Sequence, residues 1–281
     1  MDLTPRVLLS GLGIGESPRW HDGRLWFSNW GAREIVAADP RGAREVMVHL
    51  PFEAIPFSFD WLPDGRLLIV SASAQPVLRR EADGTLVSHA DVPRGFNEVV
   101  VDGRGNAYAN GAGFNPLLGE KPAPGIVMLI TPDGGSRQVA ADIAFPNGMA
   151  ITPDASTLVV ADSYGRELVA FAIGSDGSLS NRRTWARCGG DPPDGICFDA
   201  EGAIWYATVP NKRCVRVREG GDVRQTVELD RGCFGCMLGG PDGKTLYITA
   251  AEWLGMDKVV GAPRTGQLLA VEVSVPHAGR P

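Results

Sequence analysis

The chain has 281 residues, of which 44% are hydrophobic and 21% charged, and this balance is typical of a globular protein with a sizeable core. Its net charge of −6 argues against a nucleic-acid or anionic-membrane surface. The N-terminus lacks the features of a signal peptide, and no apolar run is long enough to span a membrane. Together with an odd number of cysteines, five, this predicts a cytoplasmic protein with free thiols.

One phrase recurs along the chain: a turn with Asp or Gly, followed by four to six strand-forming residues. In chain order the copies read "HDGRLWFSNW", "LPDGRLLIVSA", "VDGRGNAYANG", "TPDASTLVVADS", "DAEGAIWYATV" and "GPDGKTLYITA". Each copy follows a short apolar stretch and precedes further strand-like segments. The turn positions are separated by 42, 40, 51, 46 and 41 residues and are Gly23, Gly65, Gly105, Ser156, Gly202 and Gly243.

This repeat is typical of a β-propeller, in which each blade has four short strands in about 40 to 50 residues. The sequence therefore predicts an all-β, six-bladed β-propeller with four antiparallel strands per blade, formed as one domain over residues 1–281. "PRVLLSGL" near the N-terminus would pair with "TGQLLAVEVSV" near the C-terminus in the last blade, which removes exposed sheet edges. A β-sandwich with a second domain is the alternative, but it does not explain six evenly spaced copies.

Polar residues stand where the innermost strand of a blade begins, in four of the six copies. Counting back seven to nine residues from the turn positions gives Glu16, Asn97, Asn147 and Asp194. The repeat should bring them to one mouth of the central channel, where two carboxylates without a basic partner would repel each other. Because all the donors are oxygen, the pattern favours a hard divalent cation such as Ca²⁺, Mg²⁺ or Mn²⁺.

Each of these residues has a simpler explanation when it is taken alone. Asn147 and Asp194 each precede a glycine, and Asn-Gly and Asp-Gly are common turn pairs. Glu16 alone would most often be a solvated surface acid. The coincidence of four equivalent positions favours the metal site.

Two connections between second and third strands are long, at residues 110–125 and 250–266. Both should rise over the mouth that holds the acids, and long loops on a rigid scaffold often carry binding. The alternative is that their apolar residues pack the loops onto the body. As walls of a substrate pocket we predict Phe114, Leu117, Trp253 and Met256 from these loops, and Trp30 and Tyr164 from shorter ones.

The sequence offers little support for nucleophilic triads, because none of its four histidines occupies an axial position. A single metal in a capped pocket suits hydrolysis of an activated ester, since the cation polarises a carbonyl and stabilises the developing oxyanion. We expect Asp194 to act beside the metal, either taking a proton or attacking directly, with Glu16 mainly a ligand.

Four segments carry a resemblance to a known family: "GESPRW", "FNEVVVDGRGNAY", "FPNGMAITPD" with "VVADS", and "PDGICFDAEGAIWYA". In this order they resemble the signature segments of the senescence-marker-protein/gluconolactonase family, which includes regucalcin. The resemblance covers nearly the whole chain and implies a six-bladed propeller that hydrolyses sugar lactones with one divalent metal, Ca²⁺ or Zn²⁺. By similarity, Glu16, Asn147 and Asp194 match the metal ligands, Asp194 the base, and Asn97 a residue that contacts substrate or reaches the metal through water.

The chain also departs from the family pattern beside Asn97. Glu98 stands where the family usually has Asp, and we include Glu98 among the substrate-binding residues. Gly95 stands where an arginine often helps to hold a sugar acid, with Arg94 one step further off.

The predicted function is a metal-dependent lactonase acting on a sugar-type or related small γ- or δ-lactone, with Ca²⁺ favoured and Zn²⁺, Mn²⁺ and Mg²⁺ as alternatives. A small-molecule lactone or ester is the expected partner. The competing hypotheses are a phosphotriesterase-like hydrolase on the same metal site and a propeller that binds a metal or ligand without catalysis.

Overall fold

Short antiparallel strands joined by tight turns make up almost all of the regular structure. A computed structural model describes residues 3–51, 55–72, 76–115, 118–255, 258 and 263–279. These residues form 24 strands and a 3₁₀ turn at Trp30–Ala32, and the described ranges contain no α-helix. Within the same ranges, no helix has the length and hydropathy needed to cross a bilayer.

The strands form six four-stranded sheets. The strands of each blade are given from the channel outward. The first blade consists of β2 (Gly15–His21), β3 (Arg24–Asn29), β4 (Glu34–Ala38) and β5 (Arg44–His49), and the second of β6 (Phe57–Trp61), β7 (Leu67–Ser71), β8 (Val77–Arg80) and β9 (Leu86–Ala90). The third blade consists of β10 (Glu98–Val101), β11 (Ala107–Gly111), β12 (Gly125–Ile130) and β13 (Ser136–Ile143). The fourth blade consists of β14 (Pro146–Ile151), β15 (Thr157–Asp162), β16 (Glu167–Ile173) and β17 (Leu179–Arg187). The fifth blade consists of β18 (Ile196–Phe198), β19 (Ile204–Thr208), β20 (Arg213–Val217) and β21 (Val223–Glu228). The sixth combines β22 (Gly232–Gly239), β23 (Thr245–Ala251), β24 (Gly266–Glu272) and the N-terminal β1 (Arg6–Leu12).

The sixth blade closes the ring with strands from both ends of the chain. β1 pairs antiparallel with β24, so that Arg6 lies opposite Ala270 and Leu12 opposite Gly266. The inner strands of neighbouring blades contact one another around the channel. The predicted six-bladed propeller, its four-stranded blades and its closure by the two terminal strands are confirmed, and the β-sandwich alternative is wrong.

The turns of the repeat adopt the conformation that their glycines allow. Five of the six predicted turn positions are glycines with φ between 71° and 84°. In the fourth blade the left-handed residue is Ala155, with φ of 55°, and not the predicted Ser156. There the Asp154 carboxylate accepts hydrogen bonds from the backbone N and the hydroxyl of Ser156, which closes the turn without glycine.

The cysteines are free, as predicted, and the structure shows that they are packing residues. All five are buried and free. Four of them lie in the hydrophobic core shared by the fifth, sixth and first blades: Cys197, Cys214, Cys233 and Cys236. They fill small volumes between larger apolar side chains there.

Two glycines allow three inner strands to approach backbone to backbone. A Cβ on Gly148 would lie 2.5 Å from the carbonyl oxygen of Asp194 and 2.7 Å from the Cα of Gly195. A Cβ on Gly195 would lie 2.7 Å from the Cα of Gly235. Neither Gly148 nor Gly195 has the left-handed φ of a turn glycine. Close approach, and not turn chemistry, therefore explains the Asn-Gly and Asp-Gly pairs.

We expect Gly148→Ala to lower the free energy of unfolding by about 1–3 kcal/mol, because its methyl group meets backbone atoms of the next blade. Chemical denaturation measures this loss. Gly190→Ala is the matched control, since a Cβ at Gly190 meets nothing within 4 Å and its φ is not left-handed. Equal stability of the two variants would contradict the close approach.

Candidate functional site

A cavity of about 1020 Å³ opens at the end of the channel where the inner strands begin, and residues from all six blades line it. The four axial residues predicted from the repeat all contribute to its lining: Glu16, Asn97, Asn147 and Asp194. Glu16 lies at the start of β2 and Asn147 at the start of β14, whereas Asn97 and Asp194 come just before β10 and β18. The six-fold repeat thus brings residues that are distant in sequence to one mouth.

The two axial carboxylates are buried and repel each other. Glu16 is 6% and Asp194 8% exposed. Burial raises the pKa of Glu16 well above its usual range, and the negative charges of Asp194 and Glu98 raise it further. Burial also raises the pKa of Asp194, with a further contribution from the charge of Glu98. The local environment therefore disfavours two negative charges at this mouth unless a cation compensates them.

Asp194 has a side-chain oxygen without a hydrogen-bond partner among the described residues. Its backbone N–H donates to the carbonyl of Ala207 at 2.8 Å, which fixes the chain just before β18. Its side-chain Oδ1 is buried and has no hydrogen-bond partner in the part of the chain that the structure describes. A buried carboxylate oxygen is costly unless a donor or a cation occupies the space beside it.

The axial asparagines belong to a chain of hydrogen bonds across two blades. Asn97 Nδ2 donates to Asn147 Oδ1 at 3.1 Å, and Asn110 Nδ2 donates to the backbone carbonyl of Asn147 at 2.5 Å. Ser163 Oγ donates to the carbonyl of Pro193, next to Asp194, at 2.6 Å. Asn147 is therefore held at its side chain and at its backbone by two asparagines of the third blade. Asn110 and Ser163 were missed in the sequence, although both lie at the end of a second strand, on the same face as the axial residues.

Glu98 is buried, 4% exposed, and is not one of the residues that line the cavity. Arg19 Nη2 donates to its Oε1 at 2.8 Å and Ser17 Oγ to its Oε2 at 3.1 Å, and the Ser58 hydroxyl also donates to Oε1. These partners come from the first and second blades, so Glu98 ties three inner strands together. A contact between Glu98 and a substrate stays a prediction.

The axial residues fit a hard divalent cation in the chemistry of their donors. They offer two buried carboxylates, one with an unsatisfied oxygen, and the amide of Asn147, and Ca²⁺ and Mg²⁺ prefer such oxygen ligands. Within the described ranges no group of three His, Cys, Asp or Glu side chains is arranged to hold a metal, and the expected set contains only two acids, Glu16 and Asp194. Metal binding here stays a prediction.

Aromatic side chains wall the cavity on one side. Phe114, Phe145 and Tyr164, which we call the blade-four wall, come from the third and fourth blades and all line the cavity. The ring centroids of Phe145 and Tyr164 are 4.6 Å apart in a stacked arrangement, and those of Phe114 and Phe145 are 5.8 Å apart.

A second aromatic group lines the opposite side of the cavity. It comes from the sixth and first blades, which lie across the ring from the third and fourth blades. Trp30, Phe234 and Trp253 form this blade-six wall. The ring centroids of Phe234 and Trp253 are 5.8 Å apart, and Trp30 Nε1 donates to the carbonyl of Phe57 at 3.0 Å.

The predicted pocket residues Trp30, Phe114, Tyr164 and Trp253 all line the cavity. Trp30 and Phe114 are largely buried, whereas Tyr164 is 55% and Trp253 41% exposed. Trp30 and Phe114 therefore also pack against the body of the protein, as the alternative proposed, while they line the cavity. The predicted Leu117 and Met256 lie outside the described residues.

Phe145 and Phe234 also line the cavity and were missed in the sequence, whereas Arg94, noted there only as displaced from the family's arginine position, lines it as well. Phe145 and Phe234 stand at the entry to inner strands, so an alignment of the repeats could have identified them. Arg94 carries no such signal. Its guanidinium donates to the carbonyl of Ala112 at 2.9 Å, and it lines the cavity although it is displaced from the position that the family resemblance suggested.

Comparison with known proteins gives one family. The profile of the SMP-30/Gluconolactonase/LRE-like region matches residues 14–252. The 6-deoxy-6-sulfogluconolactonase of Pseudomonas putida is 27% identical over 281 aligned residues, covering 95% of this chain and 94% of that protein. Regucalcin of Xenopus laevis is 28% identical, with 85% and 83% covered.

A solved structure supports the same conclusion for the fold. The crystal structure of a calcium-binding protein, regucalcin, from Agrobacterium tumefaciens superimposes with a TM-score of 0.81 at 24% identity, covering 99% of this chain and 97% of that one. The matched profile spans the four segments that carry the axial residues. The chain therefore belongs to the SMP-30/gluconolactonase/LRE-like family.

Proposed function

We propose that the protein is a metal-dependent lactonase that opens a small γ- or δ-lactone at the mouth of the channel. The observation that carries the proposal is the pair of buried, mutually repelling carboxylates, Glu16 and Asp194, one of which has an unsatisfied oxygen. Membership of the family, and a relative named as a 6-deoxy-6-sulfogluconolactonase, support a lactone as the substrate.

Glu16, Asn147 and Asp194 are the residues that would hold the ion, and their oxygen donors favour Ca²⁺, with Zn²⁺, Mn²⁺ and Mg²⁺ as alternatives. When bound, such an ion polarises the lactone carbonyl and stabilises the negative charge that develops on its oxygen. Asn97 donates to Asn147 and lines the cavity, so it orients this ligand and presents its own amide to the substrate.

Asp194 acts as the base in this proposal. Its Oδ1 has no hydrogen-bond donor among the described residues, and burial, with the charge of Glu98, raises the pKa of its carboxyl group. A raised pKa makes the carboxylate a stronger base, and in this proposal a water molecule in the site donates a hydrogen bond to it. The oxygen of that water attacks the carbonyl carbon while its proton passes to Asp194. The bond between the acyl carbon and the ring oxygen then breaks, the ring oxygen receives the proton, and a hydroxy acid leaves.

Asp194→Asn is expected to lower kcat by roughly 10²–10⁴-fold, because the amide cannot accept the proton. Proton release from a panel of γ- and δ-lactones measures it. Asp222→Asn is the control, since the Asp222 carboxylate is 62% exposed and lies in a turn of the fifth blade.

Three results would redirect the proposal. Full activity of Asp194→Asn would remove Asp194 from the mechanism. Turnover of phosphotriesters with little lactone hydrolysis would favour the phosphotriesterase-like alternative. The absence of hydrolysis with any divalent ion would favour a propeller that binds without catalysis.

Calcium added to chelator-treated protein is expected to raise Tm, because the ion relieves repulsion that is present only in the folded state. At a calcium concentration about 100 times Kd, the gain in unfolding free energy is about 2.7 kcal/mol.

Glu16→Gln should weaken calcium binding by about tenfold or more, which is 1.4 kcal/mol or more in calorimetry. Glu45→Gln, whose carboxylate is 64% exposed in the first blade, should bind like the wild type. Identical calcium affinity of the Glu16 variant and the wild type would contradict the assignment of Glu16 as a ligand.

The sequence assigns Glu98 to substrate binding, whereas its contacts in the structure favour a structural role. One variant distinguishes these two roles. If Glu98 holds Arg19, then Glu98→Gln breaks the ion pair of this buried guanidinium and should lower the unfolding free energy by about 3–5 kcal/mol. KM would then change little. Glu98→Asp keeps the charge and serves as the control. A raised KM with unchanged stability would instead support a substrate contact.

A further inference from the structure

The cavity is larger and more apolar than a polyhydroxylated lactone requires. Its volume of about 1020 Å³ lies at the upper end of the range for pockets that enclose drug-sized ligands. The blade-four wall (Phe114, Phe145, Tyr164) and the blade-six wall (Trp30, Phe234, Trp253) face each other across it. The six aromatic side chains of these two walls therefore border the space beside the axial residues.

Three polar groups near these walls each make a hydrogen bond within the protein. The Arg94 guanidinium donates to the carbonyl of Ala112, and the Glu120 carboxylate accepts from the backbone N–H of Asn115 at 2.7 Å. Ser163 Oγ donates to the carbonyl of Pro193. Each hydroxyl of a sugar lactone that enters this space must give up water, and a hydroxyl that is buried without a partner is penalised. Apolar surface gains from the same transfer.

The exposure of the rim points in the same direction. Two aromatic side chains stand among the large hydrophobic residues that are exposed in the described ranges, Tyr164 and Trp253, and both line this cavity, one in each wall. Exposed aromatic rings on opposite sides of one opening are what an apolar ligand would cover.

From this geometry we infer that the substrate is a lactone that carries an aryl or alkyl group, and not a polyhydroxylated sugar lactone. The inference rests on the proposed lactonase function. The carbonyl group would lie at the axial residues, and the apolar part would lie between the two walls.

The test compares kcat/KM for an aryl-fused δ-lactone, 3,4-dihydrocoumarin, and an alkyl-substituted γ-lactone with that for D-glucono-δ-lactone. We expect the apolar substrates to be preferred by about tenfold or more. Tyr164→Ser and Trp253→Ser should each reduce that preference by roughly tenfold, because each removes one aromatic ring from the pocket. Tyr164→Phe keeps the ring and should keep the preference. Val223→Ala removes exposed apolar surface outside the cavity and should change nothing.

Binding of unreactive lactams separates failure of this inference from failure of the lactonase proposal. Calorimetry with calcium present compares the lactam analogue of dihydrocoumarin with D-gluconolactam on the wild-type protein. Tighter binding of the aryl lactam, weakened in Tyr164→Ser, supports the inference even if no lactone is hydrolysed. A higher kcat/KM for D-glucono-δ-lactone, or tighter binding of the sugar lactam, overturns the inference while lactone hydrolysis itself would stand.

Discussion

Close packing of the inner strands around the channel is the constraint on which the site depends. At Gly148 and Gly195 the backbones of neighbouring blades are in contact, with no room for a side chain. The residues that precede these glycines, Asn147 and Asp194, both line the mouth. A larger residue at either glycine would separate the strands and with them two of the proposed ligands. The packing that forms the ring and the geometry that forms the site therefore have a common cause.

This convergence has an electrostatic cost. Three acids, Glu16, Glu98 and Asp194, are buried near one another, and the guanidinium of Arg19 is bound to Glu98. Burial raises the pKa values of Glu16 and Asp194, because the folded protein solvates their charges poorly. Functional sites often retain such locally unfavourable arrangements, which the rest of the fold stabilises.

The sequence predicts the propeller and its axial residues well, because both depend on position within a repeat. The sequence is a poorer guide to which residues reach the cavity, because that depends on the direction in which each side chain points. Glu98 follows Asn97, but successive side chains in an extended chain point to opposite sides, so Asn97 reaches the cavity while Glu98 reaches Arg19. Arg94 lies in a connection without repeat symmetry, and its position in the lining follows from tertiary packing that no local pattern encodes.

The residues proposed for the chemistry and the residues proposed to select the substrate lie on different parts of the chain. Asn147 receives its hydrogen bonds from Asn97 and Asn110, which lie beside or within inner and second strands. The aromatic walls, in contrast, are partly built from connections, since Phe114 follows β11 and Trp253 follows β23. Loops on a rigid scaffold can change without displacing the strands that they join. The axial oxygens can therefore keep their arrangement while the residues around the cavity vary, and a shared family fold fixes the mouth of the channel without fixing the substrate.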